Sequence, residues 1–261
     1  MNNCTIKKNF NKNGYVIIRD VMDIDQVDQF RIKAFEYFEE NPGARILPAE
    51  IIKDFPELLN IQFSDKIVNA CREIYGHFTY VNCFQLQKNM SNYGSNKGWH
   101  DDVNSQRNLK LANPSLTTNE YKMAKIGIYM QDSSCPYGGS IDFISGSHKY
   151  SNLRRIITHK TLNGSIKSKI LDKVFGVVKG DTKVKAGDWV LFDCRLLHKS
   201  SRPNGEMSAA DYDGSVFRKN SKNNKYAFYW EVGCKKSSSQ FMKSNLLRSV
   251  ADEIVSKDKF F

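Results

Sequence analysis

The sequence predicts a mainly β fold with flanking helices, and two features of the 261-residue chain indicate it. The first part of the chain carries apolar residues at helical spacing, whereas short stretches rich in Tyr, Phe, Val and Ile follow from residue 78 onward. Helices that lead into many short strands are typical of a β-sandwich or barrel with helical supports. The predicted strands of this core cover residues 78–90, 125–131, 140–144, 189–193 and 225–232.

A strand and a helix are predicted ahead of this core. Asn13-Gly14 precedes the β-branched run Tyr15–Ile18, which is typical of a short strand. Asp23, with Gln26 three residues later, has the sequence pattern of a capping box, and apolar residues at helical spacing follow it. Pro42-Gly43 is expected to end that helix.

We expect one domain over residues 1–261, because no linker or internal repeat interrupts the chain. A helical support is predicted over about residues 20–76, and it includes a second helix over Asp65–Tyr75. The β core is predicted over about residues 78–233, and a closing helix over about residues 240–256.

Composition favours a globular protein in a reducing compartment. Hydrophobic residues make up 40% of the chain, which is enough for a sizeable core, and no run of 18 apolar residues predicts a membrane span. The N-terminus lacks the apolar stretch of a secretory signal. The six cysteines form no CxxC pair, so we expect free thiols in the cytoplasm rather than a zinc site.

The formal net charge of +11 has three interpretations. We favour a solvated, Lys-rich surface, followed by attraction to a small anionic substrate. Nucleic acid comes last, because the chain has no dense Lys/Arg block and no basic motif interleaved with aromatic residues. No nucleic-acid partner is therefore expected, and the oligomeric state cannot be inferred from the sequence.

A metal site is the strongest chemical prediction. His100 and Asp102 are two residues apart and face the same side of an extended chain, whereas Asp101 between them faces the other side. His198 follows the predicted strand 189–193, at its far end, where a side chain can face a barrel mouth. Two His and one carboxylate on one face is the arrangement that holds non-heme Fe(II), although other divalent metals also accept it. His77 and His159 are interpreted as surface residues.

Four segments, in this order, resemble the phytanoyl-CoA dioxygenase family of Fe(II)- and 2-oxoglutarate-dependent oxygenases. The opening, residues 10–18, precedes the Asp23-capped helix, and Trp99-His100-Asp101-Asp102 matches the family's W-H-x-D segment. Residues 138–149 are similar to its G-x-L…P-G-S-H-K segment, with Ser145 in place of Pro. Residues 187–200 match its G-D…H-x-S segment.

This resemblance implies a double-stranded β-helix, a jelly-roll or cupin-like core, with iron at one open end. It maps His100, Asp102 and His198 onto the iron ligands and catalytic centre, and it makes His148 a loop residue rather than a ligand. The implied co-substrates are 2-oxoglutarate and O₂. Because relatives that halogenate carry a small residue at the position of Asp102, the resemblance favours hydroxylation.

The residue that would anchor 2-oxoglutarate departs from the family pattern. No Arg follows His198 at the family's spacing, and Lys225 stands at the start of the next predicted strand instead. A Lys makes one charge-assisted contact where Arg makes two. Arg218 and Arg202 are alternative anchors, and Ser200 matches a hydroxyl that binds the same carboxylate in the family. The facing strand offers further polar contacts from Gln85, Gln87 and Lys88.

The substrate is expected to be a small metabolite, anionic or linked to a carrier. The stretches 104–122 and 149–181 are predicted to contribute to its site, with residues 203–224 as a lid. Their basic residues include Arg107, Lys110, Arg154 and Arg155.

Two alternatives stay open. The missing Arg and Ser145 would suit a non-catalytic jelly-roll binding protein with a degraded co-substrate site. The triad would also suit a hydrolase or isomerase that uses another divalent metal.

Overall fold

A computed structural model describes residues 4–41, 45–46, 51, 53–88, 99–102, 122–133, 141–163, 174–178, 184–200 and 225–234. The predicted closing helix and the predicted lid over 203–224 lie outside these residues. So do Arg107, Lys110, Arg202 and Arg218.

The two helices predicted ahead of the β core are present, and the capping box at Asp23 is confirmed. The Asp23 carboxylate accepts a hydrogen bond from the Gln26 backbone N–H at 2.8 Å, and the Gln26 side chain accepts one from the Asp23 N–H at 3.1 Å. The described helices are α1 (Cys4–Asn13), α2 (Ile24–Glu40), α3 (Glu57–Gln62), α4 (Asp65–Tyr75) and α5 (Asn152–Asn163), with a 3₁₀ turn at Ser147–Lys149.

Helix α5 was not predicted, although Leu153, Ile156 and Ile157 stand at the i, i+3, i+4 spacing of a helix face. In the structure these three side chains are exposed, whereas Arg155 and Thr158 are buried. We interpreted the stretch 149–181 as polar, and the helical spacing at its start was overlooked. Helices α1 and α3 were missed as well.

The strands form two antiparallel sheets. The larger sheet has the order β1-β7-β4-β9-β3-β2, and the smaller has the order β6-β5-β8. The strands are β1 (Tyr15–Ile18), β2 (Arg45–Ile46), β3 (Thr79–Lys88), β4 (Met123–Tyr129), β5 (Ile141–Ile144), β6 (Val177–Val178), β7 (Trp189–Asp193), β8 (His198–Ser200) and β9 (Tyr226–Gly233).

The two faces of the larger sheet have different neighbours. On the outer face, residues such as Ile128 and Trp230 form one buried cluster with Phe30 and Phe38 of α2. On the inner face, Phe192 lies 5.8 Å, between ring centroids, from Phe143 of the smaller sheet. Two antiparallel sheets packed in this way form the predicted jelly-roll core, supported on its outer face by helices.

Two compositional expectations can be compared with the described residues. Within these ranges, no helix combines the length and the apolar character that crossing a membrane requires. Cys71, Cys194 and Cys234 carry free thiols, as expected for these three positions.

The turn before β7 requires glycine at position 187. Gly187 has a φ of 80°, and an added Cβ would lie 2.4 Å from the backbone oxygen of Met22. We expect Gly187→Ala to lower the free energy of unfolding by roughly 3 kcal/mol, since it combines left-handed strain with overpacking. Gly76 is a matched control, because its φ is 73° and a Cβ there would meet nothing within 4 Å.

We expect Gly76→Ala to cost only about 1 kcal/mol, the left-handed strain alone. Urea unfolding of both variants measures the difference. Equal losses in the two variants would contradict the role assigned to the contact between Gly187 and Met22.

Candidate metal centre and co-substrate pocket

Three side chains that are far apart in the sequence come together at one end of the core. His100, Asp102 and His198 each offer a ligand atom, and these atoms all lie within 4.8 Å of one another. The backbones of His100 and His198 exchange two hydrogen bonds, at 2.9 and 2.8 Å. The Asp102 N–H donates to the Cys194 carbonyl at 2.9 Å. Backbone pairing therefore sets the distance between the two segments.

His198 begins a strand rather than ending one. Strand β7 stops at Asp193, and the chain then turns, with the Leu196 N–H donating to the Asp193 carbonyl at 2.8 Å. The Asp193 carboxylate also accepts from the Arg195 N–H at 2.8 Å. This turn carries the chain from the larger sheet to the smaller one, where His198 is the first residue of β8. His198 therefore follows strand 189–193, as predicted, but the strand that it begins was not predicted.

The hydrogen bonding of His198 leaves one nitrogen for a metal. Its Nδ1 lies 2.9 Å from the Leu196 carbonyl. Because a carbonyl only accepts, Nδ1 carries the proton, and Nε2 presents its lone pair 3.9 Å from Oδ1 of Asp102. Burial, together with the nearby His100, lowers the pKa of His198 to about 3, so the imidazole is neutral at physiological pH.

Asp102 is held as an anion by a partly buried lysine. Its Oδ2 lies 3.3 Å from Nζ of Lys125, which is also 3.6 Å from Oε1 of Glu231. Burial would raise the pKa of Asp102, but Lys125 and the two histidines outweigh burial and lower it to about 2. Burial raises the pKa of Glu231 to about 8, despite the nearby Lys125. Burial disfavours the charged form of Lys125, yet the two carboxylates raise its pKa.

This donor set fits ferrous iron. Two imidazoles and one carboxylate converge on a point, which is the 2-His-1-carboxylate arrangement of non-heme Fe(II) oxygenases. The neutral His198 and the anionic Asp102 are already in the protonation states that metal binding requires.

The other candidate side chains near the triad have different neighbours. Asp101 is buried and forms an ion pair with Arg155 of α5 at 3.2 Å, so its carboxylate is engaged outside the triad. His148 lies in the 3₁₀ turn and is not part of the metal-ligating group. His77 and His159 are exposed.

Lys225 is buried inside the core, immediately before β9. It is 2% exposed, and its Nζ lies 5.7 Å from the centroid of the Tyr129 ring. Burial lowers the pKa of Lys225 to about 7, although the Asp142 carboxylate acts in the opposite direction. The alternation along β9 places Lys225 on the same face as Tyr229 and Glu231, which is the inner face.

The three polar residues predicted on β3 are divided between the two faces. Gln85 and Gln87 are opposite Tyr229 and Ala227 of β9, and the Gln87 amide donates to the Gln85 side chain at 2.7 Å. Lys88 has the opposite parity, and its Nζ lies 4.0 Å from Glu39 of α2. Strand alternation therefore directs Lys88 toward the helical layer, away from the inner face.

Ser200 is the last residue of β8, in register with Ile141. The basic pair on α5 is also divided. Arg154 is exposed, with its guanidinium 4.1 Å from the centroid of the Tyr150 ring, whereas Arg155 is buried against Asp101.

Four inner-face residues were missed by the sequence analysis: Lys125, Tyr129, Tyr229 and Glu231. The two tyrosine hydroxyls lie 3.3 Å apart, and Lys125 is opposite Glu231 in the pairing of β4 with β9. Alternation along the two predicted strands contained the signal. It puts Lys125 and Tyr129 on one face of the first strand, and it puts Lys225, Tyr229 and Glu231 on one face of the second.

A jelly-roll core with a His-Asp-His triad at one end defines the class of non-heme iron oxygenases. Consistent with this class, residues 10–206 match the family described as phytanoyl-CoA dioxygenase (PhyH). The chain belongs to the phytanoyl-CoA dioxygenase family. The predicted enzyme class, a 2-oxoglutarate-dependent non-heme iron dioxygenase, is thereby confirmed, together with its cofactors Fe(II) and 2-oxoglutarate.

Solved structures share the fold at low sequence identity. HygX from Streptomyces hygroscopicus, with nickel and 2-oxoglutarate bound, is 17% identical with a TM-score of 0.55, and the match covers 87% of this chain and 84% of HygX. EctD from S. alaskensis with bound Fe is 14% identical, with a TM-score of 0.54 and coverages of 88% and 76%. No curated protein matched the sequence.

The description of a third similar structure names a reaction. It is SnoN, the non-heme alpha-ketoglutarate-dependent epimerase from nogalamycin biosynthesis. SnoN is 10% identical, with a TM-score of 0.55, and the match covers 89% of this chain and 82% of SnoN.

Proposed function

We propose that this dioxygenase hydroxylates a small anionic metabolite, with His100, Asp102 and His198 as the iron ligands and Lys225 as the 2-oxoglutarate anchor. The convergence of the three ligand atoms within 4.8 Å carries the proposal. When bound, Fe(II) supplies the redox chemistry that couples O₂ and 2-oxoglutarate to oxidation of the substrate.

The protein contributes a prepared set of ligands. The neutral His198 offers Nε2, because the Leu196 carbonyl holds the proton on Nδ1. Asp102 offers a carboxylate that stays ionised at physiological pH. Since both groups are held by the protein before a metal arrives, little reorganisation is needed when it binds.

Lys225 supplies a positive charge inside the core. Its ammonium is enclosed by the inner face, where a charge-assisted hydrogen bond to a carboxylate is strong because water is excluded. Gln85 and Gln87 extend the polar surface along β3, and Tyr129 adds a hydroxyl. These neighbours suit an anion with several oxygens, such as 2-oxoglutarate.

The proposal of hydroxylation rests on the presence of a carboxylate at position 102 and not on the fold. SnoN, which has a similar fold, is described as an epimerase, so the architecture alone does not select the outcome. The carboxylate of Asp102 occupies the place that would otherwise accept a halide ligand. For this reason we favour hydroxylation over halogenation.

An anionic substrate is proposed from the charge of the chain and from Arg154. The formal net charge of +11 attracts anions over a distance, and the exposed Arg154 on α5 is available for contact. Arg155 is buried, and its guanidinium binds Asp101. Its proposed role is therefore to hold the segment that carries His100 and Asp102, and not to bind substrate.

We also propose a cytoplasmic location. The three free thiols of Cys71, Cys194 and Cys234 suit a reducing compartment.

Calorimetry of the whole protein with Mn(II) tests the proposal. We expect 2-oxoglutarate to bind only when the metal is present, and succinate to form from it when Fe(II) and O₂ are supplied. A protein that binds neither ligand would instead support the non-catalytic jelly-roll. Turnover of a substrate under strict anaerobiosis would support a hydrolase or isomerase.

The affinity for 2-oxoglutarate is expected to depend on pH through Lys225. Its pKa of about 7 means that the ammonium loses its proton as the pH rises past neutrality, and a carboxylate binds the charged form. We therefore expect affinity to fall by about tenfold between pH 6 and pH 8. Asp142 and Tyr129 face Lys225, and the charge of Asp142 works against the shift.

Lys225→Arg is the matched control, because a guanidinium stays charged throughout this range. We expect its affinity for 2-oxoglutarate to be nearly constant from pH 6 to pH 8 in the same calorimetric titration. An equal pH dependence in both proteins would show that another group controls binding.

A further inference from the structure

The two oxygens of Asp102 have different neighbours. Oδ1 faces the metal-ligating nitrogen Nε2 of His198 at 3.9 Å, whereas Oδ2 accepts a hydrogen bond from the Lys125 ammonium at 3.3 Å. The Asp102 backbone N–H is held separately by the Cys194 carbonyl. Asp102 is thus held at its backbone and at its side chain. One carboxylate oxygen faces the metal position, and the other faces the Lys125 ammonium.

Lys125 is itself held in place by the sheet. It stands directly opposite Glu231 in the pairing of β4 with β9, and Nζ lies 3.6 Å from Oε1 of Glu231. The Glu231 side chain is 7% exposed and that of Lys125 is 24% exposed, so this contact is partly shielded from water. The contacts with these two carboxyl groups therefore restrict where the ammonium can lie.

We propose that Lys125 is a positioning residue that keeps Oδ2 of Asp102 away from the metal. A carboxylate can give a metal one oxygen or two. With Oδ2 bound to Lys125, Asp102 gives one oxygen, and the three protein ligands leave enough open positions for both oxygens of 2-oxoglutarate and for O₂. Without Lys125, Oδ2 competes with 2-oxoglutarate for the metal.

This inference rests on the proposed function. It also makes a prediction that the proposed function by itself does not make. Loss of Lys125 should strengthen metal binding, because a positive charge leaves and a second oxygen becomes available. The same loss should weaken 2-oxoglutarate binding to the metal-loaded protein. A merely structural role would weaken both together with folding stability.

The test compares Lys125→Met with Lys125→Arg by calorimetry of the whole protein. For Lys125→Met we expect Mn(II) to bind at least as tightly as to the wild type, and 2-oxoglutarate to bind the Mn(II)-loaded variant about tenfold more weakly. Lys125→Arg should restore both affinities, since it keeps the charge and the donors. Lys160→Met, at an exposed position on α5, is the control for loss of one charge.

Absorption of the Co(II)-loaded proteins gives a readout that is independent of activity. We expect the spectrum of Lys125→Met to differ from that of the wild type before 2-oxoglutarate is added, because the coordination of Asp102 changes. Identical spectra and an unchanged 2-oxoglutarate affinity would overturn the proposal. If the wild type fails to bind 2-oxoglutarate with Mn(II), the proposed function itself fails.

Methionine beside the carboxyl groups of Asp102 and Glu231 can also prevent folding, so Lys125→Gln is measured beside it. Glutamine keeps one donor without the charge, and its affinity for 2-oxoglutarate should lie between those of the Arg and Met variants. Loss of the melting transition in both neutral variants would overturn the proposal in favour of a purely structural role.

Discussion

Replacement of His198 by Ala is expected to abolish metal-dependent binding of 2-oxoglutarate and its turnover. The variant removes the Nε2 ligand, and with it the side chain that the Leu196 carbonyl orients. The two remaining ligands, His100 and Asp102, lie on the segment whose backbone pairs with His198. We expect the affinity for Mn(II) to fall by more than about 100-fold, as direct ligands matter more than their outer-shell partners.

Succinate formation with Fe(II) and 2-oxoglutarate measures this effect, together with Mn(II) calorimetry. His159→Ala is the matched control, since it removes an exposed imidazole on α5 and should leave both measurements unchanged. Succinate formation that is unchanged in His198→Ala would contradict the assignment of the metal centre.

Replacement of Lys225 by Met is expected to separate binding from stability. The affinity for 2-oxoglutarate should fall by roughly 100-fold, because a buried charge partner is removed. The melting temperature should rise, because the wild type buries an ammonium whose pKa drops from 10.5 to about 7. That drop corresponds to a destabilisation on the order of 4 kcal/mol at neutral pH.

The pH dependence of the free energy of unfolding tests whether burial of the Lys225 ammonium causes this destabilisation. At pH values below 7, Lys225 is charged in both the folded and the unfolded chain, and the destabilisation is at its full value. Between pH 7 and 10.5 the unfolded chain holds a proton that the folded chain has released, so the stability of the wild type rises with pH. Lys225→Met lacks this rise.

Thermal and urea unfolding across this pH range measure the difference between the two proteins. Lys225→Arg separates charge from shape, because it should retain 2-oxoglutarate binding without the stability gain. A Lys225→Met variant that keeps its 2-oxoglutarate affinity would move the anchor elsewhere, with Arg218 or Arg202 as the remaining candidates.

The sequence was sufficient to predict those features that depend on local spacing. Tyr15–Ile18, Asp65–Tyr75 and Trp189–Asp193 were predicted with the bounds that the structure has, because apolar periodicity and turn residues are local signals. The i, i+2 spacing of His100 and Asp102 belongs to the same kind of signal. Helix α5 was not predicted although Leu153, Ile156 and Ile157 stand at helical spacing; what the sequence could not show is that these residues are exposed while Arg155 and Thr158 are buried.

The side of the sheet on which a polar residue lies was decided by tertiary structure. Alternation along β3 already separates Lys88 from Gln85 and Gln87, but only the packing of the sheet shows that the face of Lys88 is the one toward Glu39 and the helices. The contact between Lys125 and Glu231 could not be predicted for a related reason. They meet through the register between β4 and β9, which joins segments that are distant in the chain.

The sequence by itself therefore determined the jelly-roll class, the family and the three candidate metal ligands, since these depend on periodicity and on short motifs. Only the tertiary structure decided which atoms face the metal position, through the proton on Nδ1 of His198 and the contact between Lys125 and Oδ2 of Asp102. The physical reason is that the orientation of the ligands and the positions of the charged groups depend on neighbours across the sheets. Local spacing in the sequence does not predict such long-range pairing.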